Sequence, residues 1–282
     1  MRRWWRRARL GLPTVRGLRP GGFFIPCRYA GLLPRPVERP PYGPVEALMH
    51  AHATAFLERL AGLRRHATAF AAIGGPPPAP RWDQDWFPRL DAAMTYALVH
   101  ERRPRRIVEV GSGHSTRFLA RAAADAGLSA EIVAIDPAPR AGLAGLPVRL
   151  LPTTVQAAGP APFAALEAGD LLLVDSSHIL MPGSDVDLLL NRVLPLLPAG
   201  VLVHLHDVFL PDDYPPGWAW RGYNEQLGVA ALLAGGGWRP LFASRYAVTR
   251  LAAAVAASAA GSLPLPAGAL ESGLWLEKTA RD

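Results

Sequence analysis

Two short clusters carry the residue types that acid–base or metal chemistry requires. One is Asp175-Ser176-Ser177-His178 and the other is His204-Leu205-His206-Asp207. An ordinary histidine titrates near neutral pH, so it can take the proton from a reacting hydroxyl. A carboxylate beside it can orient the ring or bind a cation. The candidate bases are His178 and His206, with Asp175 and Asp207 as their orienting groups. Alternation along a strand puts His204 and His206 on one side, with Asp207 just past the strand end. His204 taken alone reads as a packed, hydrogen-bonded strand residue.

A third cluster reads as a binding turn. In Arg106-Ile-Val-Glu-Val-Gly-Ser-Gly-His-Ser-Thr116, apolar Ile107, Val108 and Val110 form a buried strand, and Gly111 and Gly113 turn it tightly into a helix. Bare backbone at a helix N-terminus offers N–H donors to a ligand. Glu109, just before the first glycine, would repel a phosphate and attract a cation. The ligand it suits is S-adenosylmethionine, whose amino group and sulfonium are positive. Asp136 closes the next strand, 25 residues after Gly111. An acidic side chain there can accept both ribose hydroxyls of an adenosine. The expected cofactor contacts are therefore Glu109, Gly111, Ser112, Gly113, Ser115, Asp136 and Asp175. Ser115 and Thr116 are expected to cap the helix, and Ser115 can also bond the ligand's carboxylate. Ser115 stands where a dinucleotide fingerprint has its third glycine, which counts against an NAD(P)-linked oxidoreductase, the alternative enzyme reading.

Strands and helices must alternate to bring these clusters together. Strands are expected at about 106–111, 131–136, 147–151, 170–175, 200–206, 238–246 and 272–278. Helices are expected at about 89–102, 115–126, 161–168, 184–196 and 223–234. Near-continuous apolar runs such as Leu171-Leu172-Leu173-Val174 belong in a parallel sheet covered on both faces. The pattern is an α/β, doubly wound, seven-stranded and mostly parallel sheet, which binds ligands at the carboxyl ends of its strands. Residues 1–44 read as an irregular basic arm, and 45–88 as a helical extension (a helix over 45–73) ending in an aromatic loop. Residues 89–282 read as the cofactor-binding domain. The segment 210–223, with Trp218, Trp220, Arg221 and Tyr223, is expected to be a lid over the acceptor or an Ω-like loop pinned to the body. Trp82, Asp83, Asp85 and Trp86 are expected to wall the opposite side. Asn224-Glu225-Gln226 reads as a structural helix start.

At this point the chain resembles the class I S-adenosylmethionine-dependent methyltransferases. Glu109-Val-Gly111-Ser-Gly113 looks like their first motif and Asp136 like the acidic residue closing their second strand. The resemblance covers about residues 89–278. It implies their Rossmann-like fold, with the last two strands as an antiparallel hairpin, and the cofactor S-adenosylmethionine. Val-Asp-Ser-Ser-His (174–178), Gly-Ser-Asp-Val-Asp (183–187), His-Asp-Val-Phe-Leu-Pro-Asp-Asp-Tyr-Pro (206–215), Gly-Phe-Phe-Ile-Pro (22–26) and the Arg-Trp-Asp-Gln-Asp-Trp loop look like an uncharacterised bacterial branch. Some catechol-type and sugar methyltransferases bind a divalent cation at the same two strand ends. Asp175 and Asp207 resemble that pair, with His206 or His178 as a further ligand to Mg²⁺ or Mn²⁺. Here a histidine precedes Asp207 and no asparagine follows it. The activity implied is methyl transfer to a small-molecule acceptor, with a hydroxyl as the group methylated.

Charge placement narrows the partners. The net charge is +7, yet nine arginines and no acidic residue precede Glu38. Without residues 1–37 the chain holds 21 basic against 23 acidic residues. The body has no basic stripe, and no nucleic-acid partner is expected. The arm, with Trp4 and Trp5 among its arginines, reads either as a loosely docked tail or as a peripheral contact with an anionic membrane. In the second case a non-catalytic membrane-peripheral scaffold is the non-enzyme alternative. The single cysteine, Cys27, excludes an internal disulfide and a cysteine-based zinc site. Arg16 and Arg19 interrupt any secretory apolar region, and a cytoplasmic location is the default expectation.

Overall fold

The computed structural model describes residues 2–19, 21–23, 25–35 and 38–280, without the side chains of Arg2, Arg3 and Arg6. Phe24, part of the N-terminal likeness, lies outside the described residues. Two compact units emerge, Met1–Arg39 with Tyr214–Gly222, and Pro40–Asp213 with Tyr223–Asp282.

The second unit is built on one sheet. Its strands are β1 (Arg106–Val110), β2 (Glu131–Ile135), β3 (Arg149–Leu151), β4 (Leu171–Val174), β5 (Leu202–Leu205), β6 (Trp238–Ala243) and β7 (Leu274–Lys278), ordered β3-β2-β1-β4-β5-β7-β6. All neighbours pair in parallel except β7, which runs antiparallel to β5 and β6. The order reverses between β1 and β4, so a crevice opens at their carboxyl ends. Gly111 and Asp175 lie directly there. Every residue of β4 and β5 is buried, which is why the sequence shows apolar runs instead of alternation. At the opposite end Asp170 sets the register of the centre. Its Oδ1 accepts from the Arg105 and Arg106 amides at 3.0 and 2.8 Å, and its Oδ2 from the Glu167 amide at 2.9 Å.

The helices before the sheet are α1 (Arg2–Val15), α2 (Gly43–Ala51), α3 (Ala53–Gly62), α4 (Ala67–Ala71) and α5 (Arg89–Arg102). The irregular arm expected for 1–44 thus holds a helix. Its apolar residues at 4, 5, 8, 12 and 15 recur with helical spacing, which the Arg, Gly and Pro content of the segment obscures. The helix expected over 45–73 is broken at His52 and again at 63–66. It packs Val45, Met49, Phe56, Leu60, Leu63 and Phe70 into the core of the second unit. Around the sheet follow α6 (His114–Asp125), α7 (Val155–Ala158), α8 (Ala161–Ala164), α9 (Asp185–Leu188), α10 (Glu225–Ala234), α11 (Ser244–Arg250) and α12 (Ala252–Ala257). The helix expected at 184–196 keeps α-helical turns only over α9 and continues as a wider turn at 189–193 and a tighter one at 194–196, where Pro195 withholds an N–H. β6 ends at Ala243, sooner than expected, because α11 starts at Ser244. No helix among the described residues is long and apolar enough to cross a membrane.

Candidate active site

The turn after β1 is locked from beneath. Glu109 is fully buried, and its two carboxylate oxygens accept from Ser115 Oγ and Thr116 Oγ1, both at 2.5 Å. Thr116 Oγ1 also accepts from the Gly113 amide at 2.9 Å, which caps α6. Ser115 spends its hydroxyl proton on Glu109. The helix begins one residue earlier than expected, at His114, so both hydroxyl residues sit inside its first turn. Burial pushes the Glu109 carboxyl up to about 8, against the two hydroxyls that favour its ionised form. Glu109 therefore acts first as the anchor of the turn.

Gly111 is required here. Its φ is +78°, and a Cβ would lie 1.8 Å from the Asp175 carbonyl oxygen. The chain after β1 thus crosses the chain after β4 in direct backbone contact. Asp136 reaches over from the end of β2. Its Oδ2 accepts from the Ser112 amide at 2.7 Å and hydroxyl at 2.9 Å, and its Oδ1 from the Ala138 amide at 2.7 Å. The side chain is only half-buried, and Oδ1 carries one donor. A carboxylate so placed can accept further hydroxyl donors, and Gly113 offers bare backbone whose added Cβ would meet nothing closer than 3.9 Å. Trp86 covers the same turn, its ring 5.4 Å from that of His114. Trp82, expected to wall the pocket, is instead a core residue that donates Nε1–H to the Phe70 carbonyl at 3.0 Å.

The two Asp/His clusters converge at the ends of β4 and β5. His178 is buried, and its Nε2 lies 3.2 Å from Asp175 Oδ1 and 3.5 Å from Asp207 Oδ2. Its Nδ1 lies 2.9 Å from Glu225 Oε2, and Glu225 is itself buried at the start of α10. Both Asp207, at φ +55°, and His178, at φ +60°, adopt the left-handed conformation. Non-glycine residues hold it at a cost of roughly 1–3 kcal/mol, offset by their surroundings. Here those surroundings are hydrogen bonds. The His178 carbonyl accepts from the Asn224 and Glu225 amides, and Ser272 Oγ donates to Asp207 Oδ1 at 3.2 Å. Ligand atoms of Asp175, His178 and Asp207 all lie within 4.8 Å of one another.

His206 completes the group. Its Nδ1 is 3.5 Å from Asp207 Oδ1 and 3.8 Å from Asp175 Oδ1, and its Nε2 is 3.4 Å from Asp91 Oδ2. Asp91 lies fully buried in α5, where its carboxylate also accepts from the Ser272 and Gly273 amides at 3.0 Å each. Burial lowers both imidazoles, but the surrounding carboxylates overcome it and hold His178 and His206 well above the ordinary histidine range. Asp175 is only half-buried; desolvation raises its carboxyl, yet His206 and His178 hold it well below the ordinary carboxylate range. His204 differs. Burial pushes it down to about 3, neither ring nitrogen has a hydrogen-bond partner, and it packs on Trp275 with ring centroids 4.7 Å apart. It is packed as expected but not hydrogen-bonded.

All the expected candidates fall around one crevice, and two further groups join them. Glu225 read as a helix-start residue, and Asp91 lay in a segment read only as helical. The available signal was a carboxylate in an otherwise apolar stretch, Leu90-Asp91-Ala92-Ala93-Met94. Tyr223 packs against His178 with ring centroids 4.5 Å apart and the planes tilted by 42°. The remaining aromatics of the expected lid, Trp218 and Trp220, belong to the other unit, where the Arg221 guanidinium lies 4.2 and 5.1 Å from their ring centroids.

Residues 108–208 match a methyltransferase domain family. No curated protein matches the sequence. Among solved structures, the chain is similar to a Podospora anserina methyltransferase bound to S-adenosylhomocysteine, at 18% identity and TM-score 0.43, over 92% of this chain and 100% of that one. It is also similar to a Bacillus cereus O-methyltransferase in complex with S-adenosylhomocysteine, at 14% identity and TM-score 0.41, over 79% and 91% of the chains. A third is TomG of Streptomyces achromogenes, an O-methyltransferase of tomaymycin synthesis in complex with S-adenosylmethionine, at 17% identity and TM-score 0.40, over 80% and 90%. The matched segment runs from β1 through Gly111, Asp136, Asp175 and His178 to Asp207, in a sheet whose last strand is inserted antiparallel. That match sets the oxidoreductase reading aside, and residues 108–208 are a methyltransferase domain.

Proposed function

We propose that this enzyme methylates a hydroxyl of a small-molecule acceptor, with a divalent cation, Mg²⁺ or Mn²⁺, held by Asp175, Asp207 and His178. The Glu225–His178 hydrogen bond carries this reading. A buried carboxylate that takes the Nδ1 proton leaves Nε2 facing the two aspartates. Metal-bound histidines are anchored in this way through their other nitrogen. Two carboxylates suit a hard cation, and an imidazole is compatible with Mn²⁺. Such a cation, when bound, lowers the pKa of a coordinated hydroxyl and orients it.

The other residues divide the remaining work. Asp136 accepts the ribose hydroxyls while keeping Ser112 in place. Glu109 holds the turn through Ser115 and Thr116. Bound S-adenosylmethionine supplies an electrophilic methyl group on sulfur. A cation bound by Asp175 and Asp207 would offset the carboxylate charge that keeps His206 protonated, and His206, backed by Asp91, would then take the acceptor's proton as the hydroxyl oxygen takes the methyl group.

Calorimetry with S-adenosylhomocysteine and paramagnetic titration with Mn²⁺ test the two halves separately. The expected result is saturable binding of both, with Mn²⁺ binding lost in Asp175→Asn and Asp207→Asn and retained in Asp136→Ala. S-adenosylhomocysteine binding without any Mn²⁺ binding removes the cation from the reading. A wild-type protein that leaves S-adenosylhomocysteine unbound overturns the whole of it.

A further inference from the structure

The helix α1 has two faces. At 3.6 residues per turn, Trp4, Trp5, Ala8, Leu12 and Val15 share an arc of about 100°. Residues 2, 3, 6, 7 and 9, all arginine, occupy the other side of the helix. The apolar arc is open to solvent: Trp4 is 73% exposed, Trp5 64%, Leu12 54% and Val15 58%. Water does not stabilise such a face, so a clustered one marks a docking surface. The chain beyond it has the same character. Phe23, Ile25, Leu32 and Leu33 are exposed, Arg16, Arg19 and Arg28 lie among them, and no acidic residue precedes Glu38.

We infer that α1 docks on an anionic lipid surface, lying in the plane of the headgroups with Trp4, Trp5, Leu12 and Val15 turned to the acyl boundary. Charge complementarity selects this occupant. Arginines flanking an apolar face reach outward to lipid phosphates while their stems cover apolar surface. Tryptophan rings favour the headgroup level, apolar at one side and polar at the indole N–H. A helix of 14 residues is about 21 Å long, enough to lie in the interface but too short to cross it. A nucleic acid would use the arginines but leave the tryptophan face uncovered. The remainder of the chain, with 23 acidic against 21 basic residues, does not contribute attraction of its own, so the contact belongs to the arm. This inference stands apart from the cation and acceptor proposed above.

Co-sedimentation of the full chain with vesicles tests it. Phosphatidylcholine vesicles containing phosphatidylglycerol should retain the protein, and pure phosphatidylcholine vesicles should not. Acyl-chain-brominated lipid should quench its tryptophan fluorescence. Raising the salt should weaken binding by more than about tenfold, because exposed charges are screened. Trp4→Ala with Trp5→Ala, and separately Leu12→Asp, should each weaken it by a similar factor and abolish the quenching. Leu10→Gln, on the arginine side, should leave it unchanged, and all these variants should still bind S-adenosylhomocysteine. No binding to either vesicle, or binding that survives the tryptophan double substitution, overturns the inference. So does a dimer that Leu12→Asp dissociates without any vesicle binding, since a second copy then covers the face. Retention by an oligonucleotide in place of vesicles overturns it as well.

Discussion

Glu225 Oε2 and His178 Nδ1 lie 2.9 Å apart, both fully enclosed, joining the first turn of α10 to the loop after β4 across 47 positions of sequence. The pair fixes the ring and its tautomer, and so decides which way Nε2 faces. Replacing Glu225 with Ala should lower Mn²⁺ affinity and kcat/KM by about 10–100-fold, the usual cost of losing a carboxylate behind a ligating histidine. Glu225→Gln should recover part of the loss, because its amide oxygen can still accept from Nδ1. Mn²⁺ titration beside initial-rate measurements checks both variants.

Asp136→Ala removes the carboxylate proposed to accept the ribose hydroxyls and frees the Ser112 amide and hydroxyl at once. Charge-assisted hydrogen bonds contribute about 1.5–3 kcal/mol each, so S-adenosylhomocysteine affinity should fall by roughly 10–100-fold. Calorimetry reads this directly.

Two glycines with similar dihedrals should behave differently. Gly127 has φ +62° with nothing within 4 Å of an added Cβ, whereas at Gly111 that atom would lie 1.8 Å from a backbone oxygen. Gly127→Ala should cost only the left-handed penalty of about 1–2 kcal/mol. Gly111→Ala must also part β1 from β4, and should lose cofactor binding and several times that stability. Urea unfolding of the two variants separates them.

The Glu109 carboxyl is raised by burial to about 8 from an ordinary 4.5. A raised carboxyl pKa favours the folded state fully below the unfolded value, and that contribution fades as pH climbs through the folded one. Relative to Glu109→Gln, the wild type should therefore lose stability between about pH 4.5 and 8, with a slope approaching 1.4 kcal/mol per pH unit. Urea midpoints of both proteins across that range give the difference.

His204 offers the opposite case, a buried ring with two idle nitrogens. Replacement of an unpaired polar group by an apolar one of similar volume is neutral or favourable. His204→Leu should leave the melting temperature unchanged or raise it, and should leave S-adenosylhomocysteine binding intact.

The fold was legible because its signals are local. Apolar runs bounded by Gly111, Asp136, Asp175 and Asp207 mark strands and their carboxyl ends together, and a parallel sheet collects those ends in one place. The candidate side chains followed from that geometry. Asp91 and Glu225 were not legible in the same way. Each stands inside a helix far from the clusters in sequence, and only tertiary packing brings it against a histidine. The helical arm was hidden for a different reason. Its spacing is regular, but Gly11 and Pro13 are residues that ordinarily disfavour a helix.

Asp91 precedes the whole sheet, whereas the Ser272 and Gly273 amides that hold its carboxylate come just before the last strand. The reactive centre is therefore tied off by both ends of the domain. A growing chain on the ribosome can already contain Gly111, Asp136, Asp175, His178 and Asp207 and still lack the two donors that steady the support of His206. Methylation capacity should switch on only when the segment through β7 has emerged.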